Sequence, residues 1–327
     1  MGKNKVPKDF PDGFQERLTT LVGPSLCNDL KKTFVERPTT FRVNTIKTGK
    51  LGNLEIKKLL EEQNFKIKQI PWYKDAFVLM NKSKRELMET EQYSKGEIYM
   101  QSLASMSPPL VLEPKAGEKV LDLTAAPGSK TSQMAAMMER TGELVANDMD
   151  KVRFFKLQHN MELLGVSEEK KDWKFTLRME PGWKLCSEYP EGYFDKILLD
   201  APCSAEARFV EGEPQTFGYW SERKIKEMVS NQWRLLLAAW YALKPGGTLV
   251  YSTCTFAPEE NEYQVSKFIE KVGNAELEKV DIEGLKRLPI VSEWKEKAVD
   301  KEVQKSLRIM PTKEIEGFFV TKMRKRE

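Results

Sequence analysis

The sequence predicts an α/β protein built on a doubly wound parallel sheet, with a smaller α+β domain on its N-terminal side. Beyond Gly117, short apolar runs alternate with segments of helical periodicity, which is typical of βαβ units. Closer to the N-terminus, several strand-like runs surround one helical segment. We expect the strands of the large domain near residues 119–124, 143–147, 173–179, 194–200 and 247–252, and its helices near residues 129–139, 151–164, 221–243 and 258–271.

The N-terminal part begins with helical patches up to about residue 36, where apolar residues lie at helix-like spacing. A strand, a helix and two further strands are predicted at residues 41–45, 51–63, 65–70 and 76–80. This β-α-β-β order resembles part of a small RNA-recognition-type domain, but it also occurs in α+β domains without an RNA function. The polar segment 82–96 is interpreted as a connection, which divides the chain into residues 1–95 and 96–327.

Composition permits a globular protein and leaves its function open. The 327 residues include 40% hydrophobic residues, enough for a full core, and no apolar run approaches the ~18 residues that cross a bilayer. The polar start at residues 1–5 lacks a signal-peptide core, and Val6 breaks the myristoylation pattern. We therefore expect a cytoplasmic protein without a membrane partner. The basic run 322–326 is interpreted as a solvated tail.

Cysteine and histidine usage argues against a metal site. The four cysteines, at positions 27, 186, 203 and 254, form no CxxC pair, and the single His159 cannot complete a common zinc set. A reduced protein that binds no metal is therefore expected. The net charge of +4 is only mildly basic, so it permits a nucleic-acid partner without requiring one. We expect the protein to be a monomer.

The segment Lys119–Thr131 combines a short apolar strand, a small-residue loop and the start of a helix. Gly128 relieves the steric limit on the turn, and Ser129 occupies the position of a helix N-cap. Backbone N–H groups at such a helix start favour an anionic or polar ligand, although similar turns are common without any ligand. Asp148 ends the next strand 20 residues after Gly128, a spacing typical of a ribose-binding carboxylate. The segment therefore predicts a nucleotide-like cofactor.

Two cysteines follow neighbouring predicted strands at the points where those strands end. Residues 194–200 run directly into Ala-Pro-Cys203, and residues 247–253 run into Cys254. Ligands of open α/β sheets bind at the carboxyl ends of the strands. Free cysteines are more often buried core residues, but each of these opens a loop after a completed strand. Such loops can supply the exposure and the donors that a reactive thiolate needs.

Several motifs together carry a family resemblance. They are DLTAAPGSKT at residues 122–131, LDAPCS at 199–204 and YSTCT at 251–255, the last followed by PEENE at 258–262. Further matches are FRVNTIK at 41–47, GEIYMQS at 96–102 and GFFV at 317–320. From about residue 38 to its end, the chain resembles the NOP/NSUN (RsmB-like) family of S-adenosylmethionine-dependent RNA cytosine-5 methyltransferases. The two cysteines in these two contexts form a specific pair.

The resemblance implies a role for each matching residue. The cofactor S-adenosyl-L-methionine would be wrapped by Thr124, Ala125, Ala126, Pro127, Gly128, Ser129 and Lys130. Asp148 would hold the ribose hydroxyls, Arg153 matches the family's arginine after that strand, and Glu180 is a shifted substitute for a third-strand aspartate. Asp200 would lie between cofactor and base, Cys254 would be the nucleophile, and Cys203 would promote product release.

The chemistry of cytosine explains why such groups are needed. Its C5 atom is a poor nucleophile, and a thiolate that adds at C6 makes C5 enamine-like. The addition also places negative charge on the ring, which a protonated Asp200 or Lys130 could stabilise. Access to both faces of the ring requires the base to leave its stack. Structured RNA, either tRNA or rRNA, is the expected substrate, and we expect lysines within residues 41–80 to contact its phosphates.

Two alternative functions remain open at this stage. An RNA-binding or assembly factor without activity is favoured by Ala205 and Ala207, which stand where the family commonly has glycines, and by the missing third-strand aspartate at residues 179–182. Thr312, where a histidine is usual, is a further departure from the family. An amino-group methyltransferase of adenine would require an Asp/Asn-Pro-Pro-aromatic motif after the fourth strand, where this chain has Asp-Ala-Pro-Cys at 200–203. Retention of both cysteines and of Asp200 favours an active RNA cytosine-5 methyltransferase.

Overall fold

A computed structural model describes residues 9–50 and 52–327, so the predictions that concern the polar start, Val6 and Leu51 lie outside the described residues. The helices are α1 (Asp12–Val22), α2 (Pro24–Lys31), α3 (Thr45–Thr48), α4 (Gly52–Glu62), α5 (Lys84–Met88), α6 (Glu91–Ser94), α7 (Ser107–Leu112), α8 (Ser129–Met137), α9 (Lys151–Leu163), α10 (Gly182–Ser187), α11 (Glu222–Ala242) and α12 (Glu262–Val272). The strands are β1 (Thr40–Val43), β2 (Ile67–Ile70), β3 (Tyr73–Leu79), β4 (Ile98–Met100), β5 (Lys119–Asp122), β6 (Gly142–Asn147), β7 (Trp173–Arg178), β8 (Phe194–Asp200), β9 (Leu243–Thr253), β10 (Ala275–Glu278), β11 (Arg287–Leu288), β12 (Glu293–Trp294), β13 (Lys297–Ala298), β14 (Leu307–Ile309) and β15 (Phe318–Lys325).

The large sheet confirms the predicted α/β class. Its strand order is β11-β14-β15-β9-β8-β5-β6-β7, and β10 pairs with β15. Strands β7, β6, β5, β8 and β9 are parallel, and the order reverses direction between β5 and β8, which places the switch point of a doubly wound sheet beside the predicted cofactor loop.

Apolar residues along the parallel strands pack alternately on the two faces of this sheet. In β5, Val120 packs in one core cluster with Met134 of α8, while Leu121 packs in a second cluster with Leu235 of α11. All four side chains are buried. Because successive side chains of a strand point to opposite faces, continuous apolar runs are what a sheet covered on both sides requires.

The end of the chain corrects one prediction. Residues 322–326 were expected to be a solvated tail, but residues 318–325 form β15, which pairs antiparallel with β9. Lys325 is buried, and its Nζ donates to the carbonyl oxygens of Trp240 and Leu243 at 2.8 Å each. A basic side chain can occupy a sheet when its ammonium reaches buried carbonyls, which the local sequence does not reveal.

A second, four-stranded antiparallel sheet lies on the N-terminal side, in the order β2-β3-β1-β4. Strands β1, β2 and β3 and helix α4 follow the predicted order, and β4 adds a fourth strand because Phe41 pairs with Met100. This pairing crosses position 95, and the division into residues 1–95 and 96–327 stays a prediction. The predicted connection 82–96 contains the short helices α5 and α6. Within the described residues, no helix has both the length and the apolar composition needed to cross a membrane.

Arg42 joins the small sheet to the large domain. Its side chain is fully buried, and its guanidinium donates to Gln101 Oε1 at 3.1 Å and to Ser132 Oγ of α8 at 2.8 Å. A buried cation is tolerated only when such acceptors satisfy it. The small sheet is therefore joined by a specific polar contact to α8, the helix that follows the predicted cofactor loop.

We predict that Arg42→Ala lowers the free energy of unfolding by about 1.5–3 kcal/mol, because hydrogen bonds to a charged group are lost from a buried site. Chemical denaturation measures this change. Lys58→Ala, at an exposed position of α4, is the control and should change stability by less than about 0.5 kcal/mol. Equal effects of the two substitutions would contradict a structural role for Arg42.

Candidate active site

A cavity of about 480 Å³ lies at the carboxyl ends of β5, β6, β8 and β9. The structure brings most of the predicted site residues together in its lining. These are Thr124, Ala125, Ala126, Pro127, Ser129, Lys130, Asp148, Arg153, Asp200, Cys203 and Cys254. Two predicted residues, Gly128 and Glu180, lie outside this lining.

Gly128 shapes the loop from behind the cavity. It has a φ of 102° and is the N-cap residue of α8, so Ser129 is the first residue of the helix and not its N-cap as predicted. A Cβ atom at position 128 would approach the Met161 Cε atom to 2.5 Å. Glycine therefore allows both the left-handed turn and the close packing of α8 against α9.

Asp148 fixes the loop to the next strand. Its side chain is 3% exposed, and its Oδ2 accepts from the Ala126 N–H at 3.2 Å and faces Arg153 Nη2 at 3.2 Å. Arg153 also donates to the Ala126 carbonyl at 2.7 Å. The carboxylate and the guanidinium together position the backbone on one side of the cavity.

Glu180 lies apart from the cavity. Its carboxylate pairs with Lys184 at 2.8 Å, one helical turn further along the chain. Its carbonyl oxygen accepts from Asn147 Nδ2 at 3.0 Å, and Asn147 itself lines the cavity. A contact between Glu180 and a cofactor stays a prediction, and Asn147 is a lining residue that the sequence analysis did not identify.

Asp122 was also missed as a site residue, although it opens the first motif. It is fully buried, its Oδ2 accepts from Thr131 Oγ1 at 2.6 Å, and its Oδ1 has no hydrogen-bond partner among the described residues. Burial raises the pKa of Asp122 to about 7. Because Asp122 lines the cavity, its partnerless oxygen suits a cationic group such as the ammonium of S-adenosylmethionine. The lining residues therefore fit the predicted cofactor.

Lys130 and Asp200 form an ion pair at the centre of the lining. Lys130 Nζ donates to Asp200 Oδ2 at 2.6 Å and to Ser105 Oγ at 2.8 Å. Asp200 Oδ1 accepts from Ser252 Oγ at 2.8 Å. Both carboxylate oxygens are thus acceptors, which leaves Lys130 as the member of the pair with protons to donate.

The two cysteines face each other at the edge of the cavity. Cys203 Sγ and Cys254 Sγ are 3.4 Å apart, and both cysteines are free thiols. The hydrogen bond from Cys203 and the positive charge of Arg208 lower the pKa of Cys254 to about 7. The same hydrogen bond and burial raise the pKa of Cys203 well above its usual range. The direction of these two shifts favours Cys254 as the thiolate of the pair and Cys203 as its hydrogen-bond donor.

Arg208 is an exposed lining residue that the sequence analysis did not identify. It follows the Pro-Cys-Ser motif in a short 3₁₀ turn, 206–208, that begins after Ala205. Ala205 has a φ of 56°, the left-handed conformation for which glycine is favoured. The alanine occupies this conformation, so the change from the family's usual glycine is compatible with a folded loop.

Comparisons with known proteins identify the family of this chain. Residues 109–324 match the family model described as 16S rRNA methyltransferase RsmB/F. The chain is 41% identical to the tRNA (cytosine(49)-C(5))-methyltransferase of Pyrococcus abyssi, over 88% of each chain. It is 35% identical to the ribosomal RNA small subunit methyltransferase F of Pectobacterium carotovorum, over 79% of this chain and 52% of that protein, so it spans about half of this relative's length.

A solved structure shares the architecture. A methyltransferase homologue from Pyrococcus horikoshii superposes with a TM-score of 0.81 at 31% identity, covering 97% of this chain and 96% of that one. The resemblance inferred from the motifs, the methyltransferase class and the expected cofactor are thereby confirmed. The chain belongs to the RsmB/F family of S-adenosylmethionine-dependent RNA cytosine-5 methyltransferases.

Proposed function

We propose that this protein methylates C5 of a cytosine in RNA through a covalent bond between Cys254 and C6 of the base. The observation that supports this most directly is the pair of thiols beside the cofactor cavity, whose sulfur atoms are 3.4 Å apart and of which Cys254 has the lowered pKa. An amino-group methyltransferase would have no use for this pair. An assembly factor without activity would have no need to lower the pKa of Cys254.

The relatives favour tRNA as the substrate. The Pyrococcus abyssi protein, named for position 49 of tRNA, matches over 88% of its length, whereas the ribosomal RNA enzyme of Pectobacterium carotovorum matches over 52%. We therefore propose a cytosine of tRNA as the substrate, with rRNA as the alternative. The cytoplasmic location and the monomeric state stay predictions.

Different residues of the cavity lining would hold different parts of the cofactor. We propose that residues 124–130 wrap S-adenosylmethionine, that Asp148 and Arg153 hold its ribose side and that Asp122 receives its ammonium. When bound, S-adenosylmethionine supplies an electrophilic methyl group. A position of Asp200 between cofactor and base is supported by its contacts with the loop, since Thr124 Oγ1 donates to its carbonyl at 2.8 Å and Lys130 pairs with its carboxylate.

Each protein group then has a step in the reaction. The Cys254 thiolate forms a bond to C6, and the electron pair of the C5–C6 double bond moves toward the ring nitrogen and oxygen. Lys130, held by Asp200 and Ser105, supplies the donor that stabilises this charge. Once C5 carries the methyl group, its proton passes to solvent water, the electron pair of the C5–H bond re-forms the C5–C6 double bond, and the sulfur of Cys254 leaves as a thiolate. Cys203 promotes this release by donating to the departing thiolate.

The N-terminal sheet gives less support for RNA binding than its lysines suggested. Of the seven lysines in residues 41–80, five lie within 4 Å of carboxylates: Lys47 with Glu168, Lys50 with Glu139, Lys57 with Glu61, Lys58 with Glu62 and Lys68 with Glu314. Such pairs leave fewer charges for phosphates. A role of this sheet in binding RNA stays a prediction. It is tested by measuring how steeply the affinity for RNA falls as the salt concentration rises.

For the cofactor assignment, we predict that Asp148→Ala weakens S-adenosylmethionine binding by about 1–3 kcal/mol, because polar groups are left without a partner. Titration calorimetry measures the affinity. Glu169→Ala is the control, since this glutamate is exposed and lies outside the cavity lining. Unchanged affinity in the first variant would contradict the assignment of Asp148.

For the reaction, we predict that Cys254→Ala binds RNA and cofactor but forms neither an adduct nor a product. Cys203→Ala should still attack and methylate, yet release slowly, so that an adduct resistant to denaturant accumulates. A denaturing gel with labelled tRNA compares both variants with the wild type, and Cys186→Ala, a buried cysteine outside the cavity lining, is the control.

The same gel separates the alternatives. An adduct that persists in Cys254→Ala and vanishes in Cys203→Ala would reverse the roles of the two thiols. If bound cofactor gave neither adduct nor product in the wild type with tRNA or rRNA, the protein would be an RNA-binding or assembly factor.

A further inference from the structure

A buried hydrogen-bond chain runs directly behind the two reactive thiols. Ser204 follows Cys203 and Thr255 follows Cys254, and their hydroxyl oxygens are 2.7 Å apart. Ser204 Oγ lies 2.5 Å from Glu260 Oε1, and Thr255 Oγ1 lies 3.0 Å from Glu206 Oε2. The chain of oxygens is therefore carboxyl, hydroxyl, hydroxyl, carboxyl, and all four residues are at most 2% exposed.

The number of protons in this chain is fixed by its geometry. Each hydrogen bond needs one proton between its oxygens, so the three contacts need three protons, and the two hydroxyls supply two. If both carboxylates were ionised, one contact would hold two unprotonated oxygens together in the protein interior. That arrangement leaves buried polar atoms unsatisfied, which is costly. One of the two carboxyl groups therefore carries the third proton.

Glu206 is surrounded by donors, as an ionised carboxylate requires. Its Oε1 accepts from Trp220 Nε1 at 2.8 Å, and its Oε2 accepts from the Phe256 N–H at 3.1 Å in addition to Thr255. Burial raises the pKa of Glu206, but Trp220 and the positive charge of Arg17 oppose that rise. The oxygen that faces the chain already receives two donors, which leaves little reason for it to hold a proton.

The two carboxyl oxygens of Glu260 have different hydrogen-bond partners. Its Oε2 accepts from Gln232 Nε2 at 2.7 Å and from the Ser204 N–H at 3.1 Å. Its Oε1 faces the Ser204 hydroxyl and meets the Ser204 N–H only at 3.3 Å. A protonated carboxyl has this division, with one accepting and one donating oxygen. Burial raises the pKa of Glu260 to about 8, and the charge of Glu206 contributes to the rise.

We infer that Glu260 is a protonated positioning residue whose proton completes the chain and thereby fixes the loops that carry Cys203 and Cys254. The chain joins Ser204, which follows Cys203, to Thr255, which follows Cys254. The two loops are also joined by the Ala207 N–H, which donates to the Cys254 carbonyl at 3.1 Å. Loss of the proton would separate the loops and disturb the contact between the sulfurs. The consequence for catalysis rests on the proposed function, whereas the consequence for stability does not.

The pH dependence follows from the groups that face the chain. Cys203 and Tyr251 face Glu260, while Arg17 and Tyr219 face Glu206. Because the folded state binds the Glu260 proton more tightly than the unfolded chain, Glu260 lowers stability progressively as the pH rises from about 4.5 to about 8. Glutamine mimics a protonated glutamate, since its amide donates where the carboxyl O–H would donate.

The test compares Glu260→Gln with Glu206→Gln. Thermal unfolding from pH 5 to pH 9 should show a stable Glu260→Gln protein whose Tm rises relative to the wild type as the pH increases. Glu206→Gln should lose several degrees at every pH, because its amide would face Thr255 and the Phe256 N–H, which both donate. Equal losses in the two variants, or the opposite order, would overturn the inference.

Activity provides the second measurement. Glu260→Gln should keep a kcat close to that of the wild type and lose the fall in activity above about pH 8, whereas Glu206→Gln should lose about 10- to 100-fold in kcat through misplaced thiols. KM for S-adenosylmethionine should stay unchanged in both. If the wild type is inactive but the Tm pattern holds, the proposed function fails and the protonated Glu260 stands.

Discussion

The contact between the two sulfurs is the constraint on which the rest of the site depends. It exists because β8 and β9 pair in parallel with Asp200 beside Ser252, so that both strands end at the same level. The Ala201 N–H then donates to the Ser252 carbonyl at 2.9 Å, which carries the pairing one residue beyond β8. A sheet with these two strands apart could contain both cysteines and still lack the pair.

Charge around the pair is arranged so that one thiol ionises and the other does not. Arg208 acts on Cys254 from the cavity, while Lys130 neutralises Asp200, whose charge would otherwise oppose a thiolate. The carboxyl groups of Glu206 and Glu260 are buried behind the loops and are hydrogen-bonded to hydroxyl, amide and indole groups. The negative charge on the Cys254 sulfur therefore lies beside polar groups that are fixed by their own hydrogen bonds and do not compete with the sulfur for donors.

Local sequence predicted the parts of the site that one strand and its following loop define. The run before Gly128 gave the cofactor loop, and the positions of Cys203 and Cys254 after two strands gave the thiol pair. The N-cap of α8 was predicted one residue late, because the left-handed turn falls on Gly128 and not on Ser129. Lys325 was predicted to belong to a solvated tail, because the local sequence does not show which carbonyls accept from it. These carbonyls come from α11 and β9, which are distant in the sequence.

Residues whose role depends on distant partners could not be predicted. Glu206 and Glu260 meet only through hydroxyls from two different loops, and Arg308 of β14 occupies a buried pair with Glu262, so the PEENE motif serves the interior of the fold. Arg208 reaches the thiols only because the 3₁₀ turn after Ala205 directs the chain back toward the cavity. Such contacts are set by tertiary packing and leave no periodic signal in the sequence.

The most direct measurement of the central claim is the pH titration of thiolate absorbance in the wild type, Cys254→Ala and Cys203→Ala. We expect one thiol with a pKa of about 7 in the wild type, absent in Cys254→Ala and shifted upward in Cys203→Ala, where the hydrogen bond to Cys254 is gone. Cys27 and Cys186 are common to all three proteins and cancel in the differences. A thiol that still titrates near pH 7 in Cys254→Ala would contradict the account.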